Sequence, residues 1–299
     1  MTNKPVHVWD IEIRLFHWLM LFCVAGAWLT IQMGPPALLD VHEVFGFAIG
    51  AMLVFRFFWG LLGTRHMRFA SFVQGPGAVI NHLKSLISGK PRRFLGHNPA
   101  GGAMIVALLL VLLGVVASGI ATLGGFDKSG PLAPFLTFAQ GRQAKQIHET
   151  LTNLLLVLAG FHVVGVLLES LLLKENLIHP MIHGQKEAHP ETIDLLSPPR
   201  PDHRALAVIL ACLVVAGLGL ATLNFSLKPA LGVPQAAIIP DYVKECGTCH
   251  TAHHPSLLPS ASWKLVMTGL NDHFGDTATV LEPKRTELEN WLVKTTNLG

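Results

Sequence analysis

Near its carboxyl end the sequence contains the segment KECGTCHTAHH, in which Cys246 and Cys249 are separated by two residues and His250 follows directly. Two cysteines at this spacing can form thioether bonds to one porphyrin, and the adjacent histidine can then bind its iron. A zinc half-site or a redox Cys-x-x-Cys pair is the alternative interpretation. The first needs a second pair of ligands and the second a βαβ setting, and the sequence shows neither. The segment therefore predicts a covalently attached c-type haem.

The sixth ligand of this haem has two candidates. His273, in NDHFGD, follows His250 by 23 residues, which is enough chain to reach the opposite face of the ring. Met267 is the rival, although a methionine in an apolar helix usually packs in the core. We favour His273, and two histidine ligands would give a lower potential than a histidine and a methionine.

Four further histidines lie in or at the ends of apolar stretches: His17, His42, His148 and His162. Ionisable side chains within a membrane are costly and are candidates for function. His148 and His162 are 14 residues apart, so on a helix they share a face and are separated by roughly 21 Å. A single such histidine is usually a hydrogen-bonded core residue. Four at two matched depths favour the axial ligands of two non-covalent b haems.

The elements that carry these histidines must be membrane helices. The 299 residues are 51% hydrophobic and only 14% charged, whereas a soluble protein has roughly a quarter charged residues. Crossing a bilayer takes about 20 apolar residues. Five stretches qualify: residues 15–33, 42–63, 101–123, 148–173 and 204–225. The first four predict a helical bundle around the haems, and the fifth, which has no histidine, predicts a tether.

The distribution of charge predicts the orientation. The loop at 64–100 has six Lys and Arg residues and no Asp or Glu, so the positive-inside rule places it in the cytoplasm. The amino terminus is then cytoplasmic too, and the first apolar run, which lacks a convincing cleavage site, is interpreted as a retained helix. Because successive membrane helices alternate in direction, the carboxyl-terminal segment is predicted to lie in the periplasm, where c-type haems are attached. His42 and His148 then form an outer pair, and His17 and His162 an inner pair.

Basic side chains near these levels could bind haem propionates or lie near a quinone head group. Arg14 and Arg56 are predicted at the inner level, and Lys145 lies one turn before His148. Ordinary snorkelling to the interface is the alternative for each. Residues 78–89 could form an interfacial helix or a solvated connection. The remaining loop histidines are predicted to be solvated: His7, His66, His82, His97, His179, His183, His189 and His203.

The sequence divides into three parts. Residues 1–190 are predicted to form a four-helix diheme cytochrome b domain, residues 191–227 a linker and the fifth membrane helix, and residues 228–299 a small periplasmic cytochrome c domain. Helices are expected at about 240–250, 262–270 and 283–296 of that domain. The fold class is therefore an all-α membrane protein. A domain this small is expected to need a covalently bound cofactor for stability.

Several segments resemble a known family: VWDIEIRLFHWLM, HEVFGFAIGAMLVFRFFWG, NPAGGAMIV and HETLTNLLLVLAGFHVVGVLLES. Over about residues 5–187 they look like the bacterial cytochrome b561 family, which includes the b-type subunits of nickel–iron hydrogenases. The resemblance implies a four-helix bundle with two b haems, ligand pairs His17–His162 and His42–His148, and electron exchange with quinone. The tail resembles one half of the diheme cytochrome c family, whose DHFG histidine is a haem ligand.

The predicted function is a three-haem electron conduit in the bacterial inner membrane. Electrons from ubiquinol or menaquinol would pass through the b haems to the c haem, and then to a soluble periplasmic redox protein such as a c-type cytochrome. Reverse flow to quinone, superoxide oxidation at the outer haem, and a redox sensor or assembly anchor are the alternatives. No nucleic-acid partner is expected, and the bundle could form a homodimer.

Overall fold

The computed structural model describes residues 4–34, 38–89, 92–188, 192, 201–234 and 238–296, and most of them are helical. In chain order the strands and helices are β1 (Lys4–His7), α1 (Ile11–Met33), α2 (Leu39–Leu62), α3 (Phe69–Phe72), α4 (Pro76–Ile87), α5 (Pro99–Gly125), α6 (Phe138–Leu173), α7 (Pro180–His183), β2 (Gln185–Ala188), α8 (Arg204–Ser226), α9 (Pro240–Cys246), α10 (Ser260–Thr268) and α11 (Lys284–Thr295). By length and composition α1, α2, α5, α6 and α8 are able to cross a membrane. The prediction of a helical multi-pass membrane protein is confirmed.

Local sequence explains where two of these helices begin. Asn98 precedes α5, its side chain accepts a hydrogen bond from the Gly101 amide at 2.7 Å, and Pro99 occupies the first helical position. A capping box formed by Thr137 and Gln140 starts α6. The predicted start of this helix at residue 148 was therefore wrong by almost three turns. Its first turns are polar, so the apolar run alone could not reveal them.

The bundle has two ends. At the basic-loop end, residues 63–98 connect α2 to α5, and at the c-domain end, residues 126–137 connect α5 to α6. The His203 amide donates to the Leu62 carbonyl oxygen at 2.9 Å, and the Leu231 amide donates to that of Ala133, also at 2.9 Å. Helix α8 therefore runs from the basic-loop end to the c-domain end.

Helix α8 does more than the predicted tether. Ala207 and Ala211 are 0% and 4% exposed, and Ala207 belongs to the same buried cluster as Trp59 of α2. Two alanines one turn apart let the helix backbones approach closely. The fifth helix is thus packed on the bundle, which a count of apolar residues could not predict.

The basic-loop end is covered by short elements. Strands β1 and β2 pair in antiparallel fashion, with Lys4 opposite Ala188 and His7 opposite Gln185. Helices α3 and α4 lie in the loop, and α4 contacts α5. Of the two interpretations of residues 78–89, the helix is correct. The two-stranded sheet was not predicted, because its strands are far apart in sequence.

The carboxyl-terminal helices α9, α10 and α11 form a separate small core. Its buried members are Tyr242, Trp263, Met267, Leu270, Val280, Leu288 and Leu292. Helices α9 and α11 lie within the predicted ranges, and α10 begins two residues before its predicted start at residue 262. Residues 189–191 and 193–200, which include His189 and most of the predicted linker, lie outside the described residues.

The closest backbone approach between α5 and α6 depends on glycine. A Cβ atom built on Gly141 would overlap the backbone nitrogen of Phe126, and one built on Gly125 would lie 2.5 Å from the Cα of Gly141. We expect Gly141→Val to destabilise the bundle by about 1–3 kcal/mol, because overpacking forces the helices apart. The measurement is the thermal midpoint at which b-haem absorbance is lost in detergent.

Gly217→Val is the matched control, since a Cβ at Gly217 of α8 meets no atom within 4 Å. Equal thermal midpoints for both variants would contradict the assigned contact.

Candidate haem-binding sites

The predicted outer pair of histidines comes together between α2 and α6. The rings of His42 and His148 are half-buried, and their centroids are 6.1 Å apart with planes at 82°. An iron bound between two imidazoles needs a centroid separation of roughly 6 Å, because each metal–nitrogen bond is about 2 Å long. The observed separation therefore fits one iron with two axial histidines.

Backbone carbonyl groups of the other two bundle helices orient these rings. The Nδ1 atom of His42 is 2.9 Å from the Ala27 carbonyl oxygen of α1, and that of His148 is 2.9 Å from the Val115 carbonyl oxygen of α5. The Ser118 hydroxyl lies 3.3 Å from the same Nδ1 of His148. With Nδ1–H donating, Nε2 keeps its lone pair for a metal, as in most metal-binding histidines.

Glycines shape the space around this pair. A Cβ on Gly119 of α5 would lie 3.1 Å from Cε1 of His148, so the missing side chain lets α5 approach the ring. Gly46 lies one turn after His42, and a Cβ there would meet no atom within 4 Å. The ligand spacing, the fixed tautomers and the open flank together fit a haem.

The predicted inner pair lies toward the basic-loop end. His17 of α1 and His162 of α6 are both half-buried and close enough to interact electrostatically. The Nδ1 atom of His17 is buried and has no hydrogen-bond partner among the described residues. A buried imidazole nitrogen without a partner is costly, and a bound group at this level would offset that cost. On α6 this level is roughly 21 Å from His148 along the helix axis.

Arg56 is a buried cation at the basic-loop end. It is 3% exposed, and its guanidinium carbon lies 4.8 Å and 5.7 Å from the ring centres of Phe69 and Phe72. Its Nη1 atom has no hydrogen-bond partner in the described ranges, and Asp10 is its acidic neighbour. Snorkelling leaves a charged head in water, whereas this one is enclosed. The arrangement suits an anion such as a propionate.

Two other predicted cations have local partners. The guanidinium of Arg14 donates to the Ile182 carbonyl oxygen, although its Nε atom is buried without a partner in the part of the chain that is described. The ammonium of Lys145 lies 4.8 Å from the Phe126 ring centre, a cation–π contact. Arg14 therefore keeps one nitrogen available at the inner level, and Lys145 is engaged by an aromatic ring.

His97 and His82 are not solvated, contrary to the prediction. The His97 ring lies 4.5 Å from Trp9 and 4.8 Å from Phe72, measured between centroids. Burial, with Arg56 nearby as the next cause, lowers the pKa of His97 to about 3, so it is neutral at physiological pH. His82 is 3% exposed. A basic loop suggests solvent, and the folding of this loop over the bundle was not visible in its composition.

Four other loop histidines agree with the prediction, because His7, His179, His183 and His203 are exposed. His66 is half-buried and its Nε2 atom is buried, so it also departs from the predicted solvation. The signal that could have identified His97 is its position one residue before Asn98, the cap of a membrane helix. A residue there must lie at the end of the bundle.

The structure brings two of the predicted c-haem residues, His250 and His273, close together in the small domain. Cys246 ends α9 half-buried, Cys249 is exposed, and the rings of His250 and His273 are 6.2 Å apart with planes at 28°. This separation again suits one iron between two imidazoles. Burial raises the pKa of the Cys246 thiol, which disfavours a redox pair, since such cysteines need a lowered pKa.

Two rival ligands fit less well. Met267 is 1% exposed inside the core with Tyr242 and Trp263. The ring of His253 is 5.2 Å from that of His250 and nearly parallel to it, which is closer than two imidazoles can lie on either side of an iron. The geometry therefore favours His273.

Two family models match this chain. The model of prokaryotic cytochrome b561 matches residues 8–184, and that of dihaem cytochrome c matches residues 242–298. The probable Ni/Fe-hydrogenase 1 B-type cytochrome subunit of Escherichia coli K12 is 22% identical over 212 residues, which cover 60% of this chain and 90% of that protein. The subunit of the same name from Escherichia coli O157:H7 aligns with the same values. Both resemblances predicted from the sequence are confirmed.

We expect His42→Ala to remove one b haem and leave the other, because the outer iron loses an axial ligand while His17 and His162 are untouched. Pyridine haemochrome spectra should show the ratio of b haem to c haem falling by about half. His203→Ala, at an exposed histidine, is the control and should keep the original ratio. An unchanged ratio in His42→Ala would exclude this residue as a ligand.

His273→Ala should convert the c haem from low spin to high spin, since one axial ligand is lost. Met267→Leu should keep the low-spin spectrum, at a stability cost below about 1.5 kcal/mol, because the volume of the core is nearly conserved. Optical and electron paramagnetic resonance spectra report the spin state. The opposite pattern would make Met267 the ligand.

Proposed function

The chain belongs to the prokaryotic cytochrome b561 family, and on this basis we propose that it carries electrons from membrane quinol to a soluble periplasmic acceptor. Family membership and the five apolar helices make it a haem-binding, multi-pass membrane protein of electron transfer. The proposal adds two b haems held by His17, His162, His42 and His148, and one c haem held by Cys246, Cys249, His250 and His273. It also places the basic-loop end in the cytoplasm of a bacterium.

The observation that carries the proposal is the pairing of imidazoles at two sites. The centroid separations are 6.1 Å for His42 and His148 and 6.2 Å for His250 and His273. When bound, a haem iron in such a site alternates between its ferric and ferrous states. With both axial positions taken by protein, the residues leave no position for oxygen or substrate. Such sites suit electron transfer.

The connection between α8 and the small domain supports an exit at the c-domain end. The Lys128 ammonium donates to the carbonyl oxygens of Leu136 and Leu231, both at 2.8 Å, and the Leu231 amide donates to Ala133. The chain is thereby fixed to the connection between α5 and α6, at the end nearer His148. A domain held there encounters the outer haem at a high effective concentration.

Reverse flow is the second candidate. The ligand geometry has no preferred direction, and the Escherichia coli relative is named as a subunit of an Ni/Fe-hydrogenase. A periplasmic enzyme could therefore give electrons to the c haem, with quinone as the final acceptor. Superoxide oxidation gains no support from the structure, because Lys128 and Lys145, two basic residues near the c-domain end, are engaged by carbonyl groups and by Phe126.

Anaerobic addition of decylubiquinol or a menaquinol analogue to the purified protein tests the proposal. We expect rapid reduction of all three haems, followed by electron transfer to added ferric cytochrome c. Cys246→Ala should still show reduction of the b haems, but it should lose the c haem and the transfer step. Cys212→Ala, at an exposed cysteine of α8, is the control and should behave as the unchanged protein.

Failure of quinol to reduce any haem would contradict the proposal and favour a sensor or anchor. Reduction of the b haems by a reduced periplasmic donor, with no reaction of quinol, would establish reverse flow.

A further inference from the structure

A buried histidine–glutamate pair lies at the basic-loop end, apart from the predicted haem ligands. His82 faces inward from α4, and its side chain is 2% exposed. Both of its ring nitrogens are buried without a hydrogen-bond partner among the described residues. Its Nε2 atom lies 3.8 Å from Oε1 of Glu169. A shift of less than 1 Å would bring these two atoms to hydrogen-bond distance.

Glu169 connects this pair to the inner level. It follows His162 on α6 by seven residues, so it lies on the same face of the helix, two turns or about 10 Å closer to the basic-loop end. Its side chain is 12% exposed, and its second carboxylate oxygen accepts a hydrogen bond from the Asn98 side chain. The carboxylate therefore lies between the inner histidine and α4.

Among the described residues, no Lys or Arg side chain forms an ion pair with Glu169. Glu175 takes both nearby cations, with Lys186 at 3.5 Å and Arg93 at 3.2 Å. Lys186 acts on Glu169 only through longer-range attraction, which Glu175 opposes. A buried carboxylate with only an amide and a histidine as partners exchanges protons more readily than one fixed in an ion pair.

His82 is suited to exchange a proton with Glu169. Burial lowers its pKa, so the ring is neutral at pH 7 and can accept a proton at one nitrogen while releasing one from the other. The opposite face of α4 carries the exposed side chains Ile80, Leu83 and Ile87. Helix α4 therefore lies at the surface, with His82 on its inner face.

We propose that Glu169 and His82 form a proton-exchange site coupled to the inner redox level. The inference rests on the proposed function, in that His17 and His162 hold a haem. When one electron reaches that haem, the Glu169 carboxylate takes up one proton, delivered from water through the His82 ring, and becomes a neutral acid. When the electron leaves, the same proton returns to water. Each step keeps the charge of the inner level constant.

The expected coupling follows from Coulomb's law. A unit charge about 10 Å away, at an effective dielectric constant of about 20, changes the proton affinity of a carboxylate by roughly tenfold. Linkage is reciprocal, so protonation of the pair should change the electron affinity of the inner haem by the same factor. The reduced state binds the proton more tightly, and the midpoint potential should therefore fall as the pH rises through the titration of the pair.

Equilibrium redox titrations of the purified protein between pH 5 and 9, without quinone, test this proposal. In the unchanged protein the midpoint potential of the inner haem should fall with pH, by a total equivalent to a roughly tenfold change in electron affinity. Glu169→Gln keeps the volume and an oxygen to accept from Asn98, and it should abolish the fall. His82→Gln should slow the approach to equilibrium after a pH jump and leave the slope in place.

Asp202→Asn is the matched control, because Asp202 is an exposed acid at the same end, paired with Arg204, and its removal should leave the slope unchanged. The b-haem absorbance of each variant shows that it has folded. Equal slopes in the unchanged protein and Glu169→Gln, or a potential independent of pH in both, would overturn the proposal. The variant His17→Ala tests the haem assignment separately. Loss of the inner haem would support His17 as its ligand, and retention of that haem would contradict the assignment.

Discussion

The burial of imidazole rings among apolar helices is the constraint on which this bundle depends. A ring nitrogen inside a membrane has no water to bind, so each one needs a partner in the protein or in a bound group. At the level of His42 and His148, the carbonyl oxygens of Ala27 and Val115 bind both Nδ1 atoms. The lone pairs of the two Nε2 atoms therefore remain available to a metal. Four helices must converge for this, and glycines such as Gly119 permit it.

Helix α6 connects the proposed redox and proton sites. His148, His162 and Glu169 are separated by 14 and seven residues, and both intervals bring a side chain back to nearly the same face of a helix. One continuous helix from Phe138 to Leu173 therefore positions one proposed ligand for each of the two proposed b haems, and the carboxylate beyond them. A rigid rod fixes the relative depths of all three, and the facing elements supply only the second member of each pair: His42, His17 and His82.

Sequence patterns predicted the parts of this arrangement that depend on local chemistry. The Cys-x-x-Cys-His segment, the membrane helices and the spacing of four histidines are readable because each follows from a helical repeat or from the length of an apolar run. The ligand assignments stay predictions, although the rings of two of the three pairs lie at a separation suited to iron. The start of α6 at Phe138 was not predicted, because its first turns are polar. The packing of α8 on the bundle was not predicted either, because the burial of Ala207 and Ala211 depends on residues that are distant in sequence. His82 and His97 were wrongly placed in solvent for the same reason, since residues far along the chain enclose them.

The pairing of β1 with β2 has a consequence for biogenesis. Residues 4–7 emerge from the ribosome well before their partners at 185–188, which follow only after α1, α2, α5 and α6 have been made. The cover formed by these strands is therefore completed late in synthesis, when four membrane helices can already associate. Until then the basic-loop end, toward which His17 and His162 lie, lacks its two-stranded cover. A group that approaches this level from the basic-loop end can enter before the two strands join.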